Sequence, residues 1–368
     1  MNNSSIRRIL QISYDMSLGG AETLIMNIYR NIDRTKLQFD FLLHSDTESA
    51  YEKEIRNLGG RIYRIPRFLG YNKFSYDRNL TRFLLEHPEY EIIHDHLMDS
   101  ATETFRIAKR LGRITIAHSH IVQNTRTFSD LIRFMFRRNL FRYSDYRFAC
   151  SKAAGEWLYR GKTDFQILKN GIEPSKFIFS EKARKQIRGN LKLNDSDFVI
   201  GTVGRCVEQK NQRRAIEILK EIHANNERAK LVIIGDGPLK ENLKKQAETL
   251  GIKESVIFTG AVANVNEYYS SFDVFLFPSL YEGLGIVLVE AQANGLPCVM
   301  SSTIPCDVDI VPRLVRRVNL KEDNSVWAAA VKRTTPLEDR PGVSNLIRKA
   351  GYDIEETARD LERFYLTI

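Results

Sequence analysis

A chain of 368 residues, 43% hydrophobic and 27% charged, is too long for one ordinary core and suits two; its composition excludes disordered and fibrous classes. The net charge of +9 points toward acidic small molecules or anionic lipid, because no RRM, KH or zinc-finger pattern accompanies the basic residues to make nucleic acid the partner. No apolar run approaches the roughly 20 residues that cross a bilayer, and the first residues lead into a strand pattern instead of a signal-peptide core, so the expected location is cytoplasmic, with peripheral attachment to a membrane's inner face compatible.

Strand-like runs alternate with helical ones along both halves, the pattern of parallel βαβ units. The first run, residues 9–16, is followed by Gly19-Gly20 and a helix carrying Glu22, Leu24, Ile25 and Ile28. Glycines at such a junction let backbone amides approach a phosphate or an acceptor; as an isolated pair they also make a turn. Further runs occupy 39–44, 61–66, 91–96, 115–120, 146–151 and 166–171. Two of them end in histidine pairs, His94-x-His96 and His118-x-His120. Alternate strand residues share a face, so each pair points one way, able to bond sugar hydroxyls or phosphates and to change charge near neutral pH, or else lies buried and hydrogen-bonded. Asp95 and Asp99 beside His94 do not make a metal site by spacing. Between Arg126 and Arg147, arginines interleave with Phe128, Ile132, Phe134, Phe136, Leu140, Phe141 and Tyr143. This is either a basic aromatic surface for anionic headgroups or a core helix with a solvated arginine face. Cys150, Cys206, Cys298 and Cys306 lack metal-ligand spacing and read as reduced, small buried side chains.

The charged stretch 180–197 has few large apolar residues and reads as a linker between a first domain, 1–179, and a second, 198–350, with a helix over 351–368 beyond it. The second strand series is 198–205, 230–237, 256–261, 274–279 and 296–301, with helical segments at 211–226, 238–250 and 286–294. Arg205 and Lys210 follow the first of these strands, and two cations there suit a diphosphate. Gly235-x-Gly237 lacks the third glycine of a dinucleotide fingerprint and reads as a tight turn lining a nucleotide. In residues 281–298, Glu282 precedes a helix start at Gly283-Leu284-Gly285-Ile286-Val287, and Glu290 lies on the helix. Unpaired amides at that end, on the positive side of the helix dipole, suit a diphosphate, and the eight residue steps from one carboxylate to the other span at most roughly 12 Å.

The Glu282-x7-Glu290 spacing resembles the Glu-x7-Glu motif of the family 4 retaining glycosyltransferases. The likeness extends in order through Gly19-Gly20-Ala21-Glu22, Ile116-Ala117-His118-Ser119-His120, Lys169-Asn170-Gly171-Ile172, Gly204-Arg205 with Lys210-Asn211, Gly235-Asp236-Gly237-Pro238 and Phe277-Pro278-Ser279. Residues 149–158 and 351–365 are similar to small bacterial enzymes of exopolysaccharide and capsule biosynthesis. The resemblance implies the GT-B architecture: two Rossmann-like doubly wound α/β domains facing across a cleft, with the helix Ile354 to Tyr365 crossing back to the first. It implies a nucleoside diphosphate sugar, UDP-linked, as donor, with Glu282 on the sugar, Glu290 on the ribose, and Arg205 and Lys210 on the diphosphate in place of a metal. Gly19, Gly20, Gly283, Leu284, Gly285, Ile286 and Val287 complete the donor site. His118 is placed by the same likeness near the transferred sugar and acceptor, with His120 an alternative and His94 and His96 further acceptor contacts. The acceptor is a hydroxyl of a lipid-linked glycan, and no cofactor is required. A nucleotide-sugar epimerase and an inactive sugar-nucleotide-binding protein are the alternatives on this fold. Cys306-Asp307 stands where close relatives tend to carry Lys-Glu.

Overall fold

The computed structural model describes residues 6–17, 19–97, 100–120, 139–159, 161–224, 226–334 and 340–368. The chain forms two compact units, Met1–Gly171 with Ile354–Ile368, and Ile172–Asp353.

The first unit holds a seven-stranded sheet: β1 (Arg7–Ser13), β2 (Leu37–Leu43), β3 (Ile62–Arg64), β4 (Ile92–Asp95), β5 (Ile114–Ser119), β6 (Tyr146–Ala149) and β7 (Gln166–Ile167). Every neighbouring pair is parallel, in the order β3-β2-β1-β4-β5-β6-β7. A parallel sheet needs cover on both faces, which is why β2 is buried along its whole length. Strand alternation sends Leu10, Ile12 and Ile93 to a face covered by Tyr76 and Leu80 of helix Lys73–Glu86 and Phe105 of helix Ala101–Arg110. Ile9, Ile92 and Ile116 go to the other face, with Ile354, Ala358, Leu361 and Tyr365 of helix Ile354–Thr367. The register pairs Ile9 with Ile92, Gln11 with His94, and His94 with Ile116. Gln11, His94 and His118 therefore continue the Ile354–Thr367 face of the sheet toward its carboxyl edge.

The second unit has a six-stranded sheet, β8 (Phe198–Val203), β9 (Ala229–Ile234), β10 (Val256–Gly260), β11 (Val274–Phe277), β12 (Cys298–Ser301) and β13 (Val315–Val318), in the order β10-β9-β8-β11-β12-β13. Its neighbours too are parallel. Ile216, Leu219 and Ile222 of helix Gln212–His223 pack with Trp327 over Ile200, Leu231 and Leu276. Both sheets reverse their order once, between β1 and β4 and between β8 and β11, and such switch points are where doubly wound sheets take ligands at their carboxyl ends.

The charged stretch 180–197 is not a linker. Ser180 caps helix Glu181–Asn190 by accepting from the Ala183 amide at 3.2 Å, Arg184 pairs with Asp273 at 2.7 Å, and buried Arg188 donates to the carbonyls of Ser271, Asn194 and Asp197. These bonds tie the helix into the second unit, and the chain changes unit at residues 171–172 and 353–354. All four cysteines are free, and Cys306, expected to be buried, is exposed. Among the described residues no helix is long and apolar enough to cross a membrane.

Candidate functional site

In the second unit the loops after β8 and β11 flank the switch point and are sewn together. The Leu280 amide donates to the Gln209 carbonyl at 2.9 Å, the Gln209 side-chain amide to the Tyr281 carbonyl at 2.9 Å, and Asn211 to the Pro278 carbonyl at 3.0 Å. Lys210 Nζ meets Glu282 Oε1 at 2.7 Å, and Gln209 Nε2 donates to the other oxygen at 3.3 Å. Glu282 is buried, so this pair is shielded from screening by salt. Of the two cations that the sequence assigns to a diphosphate, Lys210 is paired with Glu282, and Arg205 is exposed, with no ion pair among the described residues. The β9 turn packs directly beneath. Gly235 has φ +132°, and a Cβ there would stand 2.2 Å from the Gly204 carbonyl oxygen, so backbone lies where any other residue would carry a side chain.

Gly285, left-handed at φ +91°, turns the chain into helix Ile286–Ala293. Leu288 N bonds the Gly285 carbonyl at 2.9 Å, so amides ahead of it, those of Ile286 and Val287 included, have no intrahelical acceptor and face the Gly283-Leu284 turn end. Glu290 Oε2 accepts from the Tyr269 hydroxyl at 2.7 Å. Burial pushes the Glu290 carboxyl up to about 7, and the Tyr269 bond offsets part of that rise. A carboxyl raised in the fold makes no difference below its ordinary value of 4.5, then lowers stability as pH climbs to about 7, because the unfolded chain releases its proton first. Glu290→Gln should therefore gain unfolding temperature relative to the parent between pH 4.5 and pH 8, by an amount on the order of 3 kcal/mol at most. Calorimetry across that range checks it; a parent-to-variant difference that stays flat would remove Glu290 as a titrating group.

In the first unit, Gly19 and Gly20 open helix Gly20–Asn31 after β1. A Cβ on Gly19 would stand 2.1 Å from Glu22 Oε2, whereas one on Gly20 meets nothing within 4 Å. Gly19 thus makes room for the Glu22 carboxyl, which burial raises to about 7.

The four histidines expected as two pairs form one stack. Ring centroids lie 4.4 Å apart for His94 and His96, 4.0 Å for His118 and His120, and 5.3 Å for His94 and His118. His96 Nδ1 meets His120 Nε2 at 2.8 Å, and His96 Nε2 meets Gln11 Oε1 at 2.8 Å. His94 Nδ1 bonds the Tyr365 hydroxyl, which also accepts from Gln11 Nε2 at 3.3 Å. Left without a protein partner are His94 Nε2, His120 Nδ1 and both nitrogens of His118. Each such buried group costs about 1–3 kcal/mol until something bonds it. The expectation that these rings change charge near neutral pH does not survive: burial first, then the neighbouring rings for all but His120, hold His94 and His120 down to about 3 and His96 and His118 well below their ordinary value.

Gln209, Tyr269 and Gln11 belong to no motif, and Tyr365 stands in the sequence only as the end of the last helix; contact alone brings the four to these sites. Asp99 and most of the basic aromatic segment, residues 126–138, lie outside the described residues. In its described end Leu140 is buried and Arg147 donates to Asp164 at 2.5 Å.

Residues 18–176 match the profile of Glycosyltransferase Family 4 and residues 183–351 that of Glycosyl transferases group 1. The chain is 33% identical over 375 residues to EpsF of Bacillus subtilis (strain 168), a proposed glycosyltransferase, covering 99% of this chain and 97% of that protein. It is 29% identical over 232 residues to the Escherichia coli UDP-Gal:alpha-D-GlcNAc-diphosphoundecaprenol alpha-1,3-galactosyltransferase, covering 60% of this chain and 59% of that one. Among solved structures, Anabaena Alr3699/HepE in complex with UDP and glucose superposes with a TM-score of 0.79 at 18% identity, covering 99% of this chain and 100% of the other. Two doubly wound parallel-sheet domains with such neighbours define the GT-B glycosyltransferase fold. The chain belongs to glycosyltransferase family 4, and with EpsF it shares nearly its full length.

Proposed function

We propose that the protein transfers a sugar from a UDP-sugar to a hydroxyl of a lipid-linked glycan, with retention at the anomeric carbon and without a metal ion. The observation that carries this reading is the Lys210–Glu282 pair at 2.7 Å, set at the switch point beside exposed Arg205 and the helix start at Gly285-Ile286. An arriving diphosphate takes its place among Arg205, Lys210 and the amides from Gly283 through Val287, a preorganised set of donors that stabilises the leaving group. Glu282, released from Lys210, orients the sugar hydroxyls, and Glu290 takes the ribose. The departing phosphate receives the acceptor proton in a same-face attack, so Glu282 positions and forms no covalent bond. In the first unit His118, with His94 and His120, offers unbonded nitrogens to sugar and acceptor hydroxyls, while His96 is held by His120 and Gln11.

UDP is favoured by the solved complexes of Alr3699/HepE with UDP and with UDP-glucose, and a lipid acceptor by the diphosphoundecaprenol in the name of the Escherichia coli relative. The proposal includes loose attachment to anionic membrane. Its support in the described residues is the exposed run of Phe74, Arg78, Arg82 and Leu85 along one side of helix Lys73–Glu86, next to exposed Tyr71.

The test is turnover of a panel of UDP- and GDP-sugars with a diphosphate-linked lipid glycan, in EDTA, with the product's anomeric configuration read by NMR. A retained linkage formed from a UDP-sugar in EDTA is expected. Activity lost to chelation and restored by magnesium or manganese would overturn the metal-free mechanism, and nucleoside diphosphate released transiently without acceptor would favour an epimerase.

A further inference from the structure

We propose that His94, His96 and His118, with His120 beside them, form a binding site for one transition-metal dication of the nitrogen-preferring class, with zinc as reference ion. The strands dictate the cluster. An x-His-x-His run at the carboxyl end of β4 and a second at the end of β5 are brought side by side by parallel pairing, with His94 opposite Ile116 and His118 two residues further on the same face. Each of the three offers a ligand nitrogen, and these nitrogens all lie within 4.8 Å of one another. Tetrahedral zinc with bonds of ~2.0–2.1 Å wants its nitrogens roughly 3.3 Å apart, so binding would turn the near-parallel rings of His94, His96 and His118 out of their stack until their lone pairs converge.

Two features separate this cluster from ordinary packed histidines. Nitrogens on His94, His118 and His120 have no partner although buried, and polar groups in that condition mark a missing ligand. The outer nitrogens of two rings, by contrast, are held: His94 Nδ1 by the Tyr365 hydroxyl and His96 Nε2 by Gln11 Oε1 at 2.8 Å. In the tautomer where Nδ1–H of His94 donates to the Tyr365 hydroxyl and Nε2–H of His96 to Gln11, the lone pairs on His94 Nε2 and His96 Nδ1 are left for an ion, the arrangement that fixes ring orientation in metal sites. His96 Nδ1 would leave its bond to His120 Nε2 for the ion, and His120 becomes the fourth ligand or yields that place to water. A set made wholly of imidazole excludes calcium and magnesium, which require oxygen ligands.

Occupancy would also withhold His118 from sugar and acceptor, making the loaded protein a slower transferase; this clause alone rests on the function proposed above.

The experiment uses the full chain without an affinity tag, stripped with chelator and dialysed, then titrated with Co²⁺ while visible d–d absorption is followed. One equivalent should give the intense bands of a four-coordinate ion, and one equivalent of Zn²⁺ should erase them. The His94→Asn, His118→Gln double variant should lose the bands while keeping the parent's far-UV circular dichroism and its full unfolding transition, which report the fold of the unit that carries the site. Tyr365→Phe, which keeps the ring and removes the hydroxyl, should weaken Co²⁺ by ~10-fold or more. Absent bands in the unaltered chain, or bands of equal intensity and affinity in the double variant, would overturn the site. Metal binding with unchanged turnover would refute only the inhibitory clause, and inactivity of the stripped protein with every UDP-sugar would count against the proposed function and not against the metal site.

Discussion

Glu290→Gln is expected to weaken UDP and UDP-sugar alike by about 10- to 100-fold, since both carry the ribose and both lose a charged acceptor worth roughly 1.5–3 kcal/mol. The measurement belongs near pH 8, because at about 7 the parent carboxyl is itself half protonated. Glu282→Gln should behave in the opposite way toward UDP. Its carboxylate neutralises Lys210 at 2.7 Å, and an amide there leaves the ammonium free to serve the diphosphate, so UDP affinity should hold or rise. Sugar transfer should nevertheless fall by at least tenfold, because the contact that orients the hexose is weakened where geometry decides the rate. Calorimetric titration of UDP and turnover with saturating donor separate the two residues. Equal losses of UDP affinity in both variants would mean that the carboxylates do not serve opposite ends of one donor.

Gly235→Ala should unfold the second unit at lower temperature, by about 2–4 kcal/mol, and abolish UDP binding. Two independent penalties combine: the backbone sits at φ +132°, and the new Cβ would lie 2.2 Å from the Gly204 carbonyl oxygen, an atom that cannot swing aside like a side chain. The strain falls on the loop that carries Arg205 and Lys210, so donor affinity and stability should fail together. Gly189→Ala, in helix Glu181–Asn190 of the same unit, is the matched control, because its Cβ meets nothing within 4 Å and a helix gains from the exchange. Scanning calorimetry with and without UDP reads both effects. A Gly235→Ala protein that melts like the parent and keeps UDP affinity within twofold would refute the interlocked-loop account.

The strands were legible because fully buried parallel strands are written as continuous apolar runs, as in Phe39–Leu43 and Leu231–Ile234. β13, Val315–Val318, escaped notice because it is an edge strand with Arg316 and Arg317 in its middle, and Arg317 finds Asp309 and two carbonyls instead of solvent. Helix Glu181–Asn190 reads as a linker for a related reason. Its charges looked like a solvated tether, yet Arg184 and Arg188 reach carbonyls and Asp273 in the second unit, partners no local pattern announces. Glu282, Glu290 and Lys210 stood out by spacing, but the ion pair between two of them depends on β8 and β11 being neighbours in the sheet. The histidine stack depends likewise on β4 lying beside β5, and the burial that keeps its rings neutral depends on Tyr365, far away in sequence.

That distance has a consequence for synthesis. Ile354, Ala358, Leu361 and Tyr365 complete the apolar face of the first unit around Ile9, Phe39 and Ile116, but they are translated only after the whole of Ile172–Asp353. At ~5–20 residues/s the ribosome takes roughly 10–40 s over that stretch. For this interval helix Gly20–Asn31 covers only part of that face, with Tyr29 on Phe39 and Phe41, and the strip that Ile354, Ala358, Leu361 and Tyr365 will fill stays open. The nascent chain is therefore expected to be most prone to aggregation while its second unit is being made, and chaperones acting then would recognise the strip around Ile9, Ile116 and Phe148.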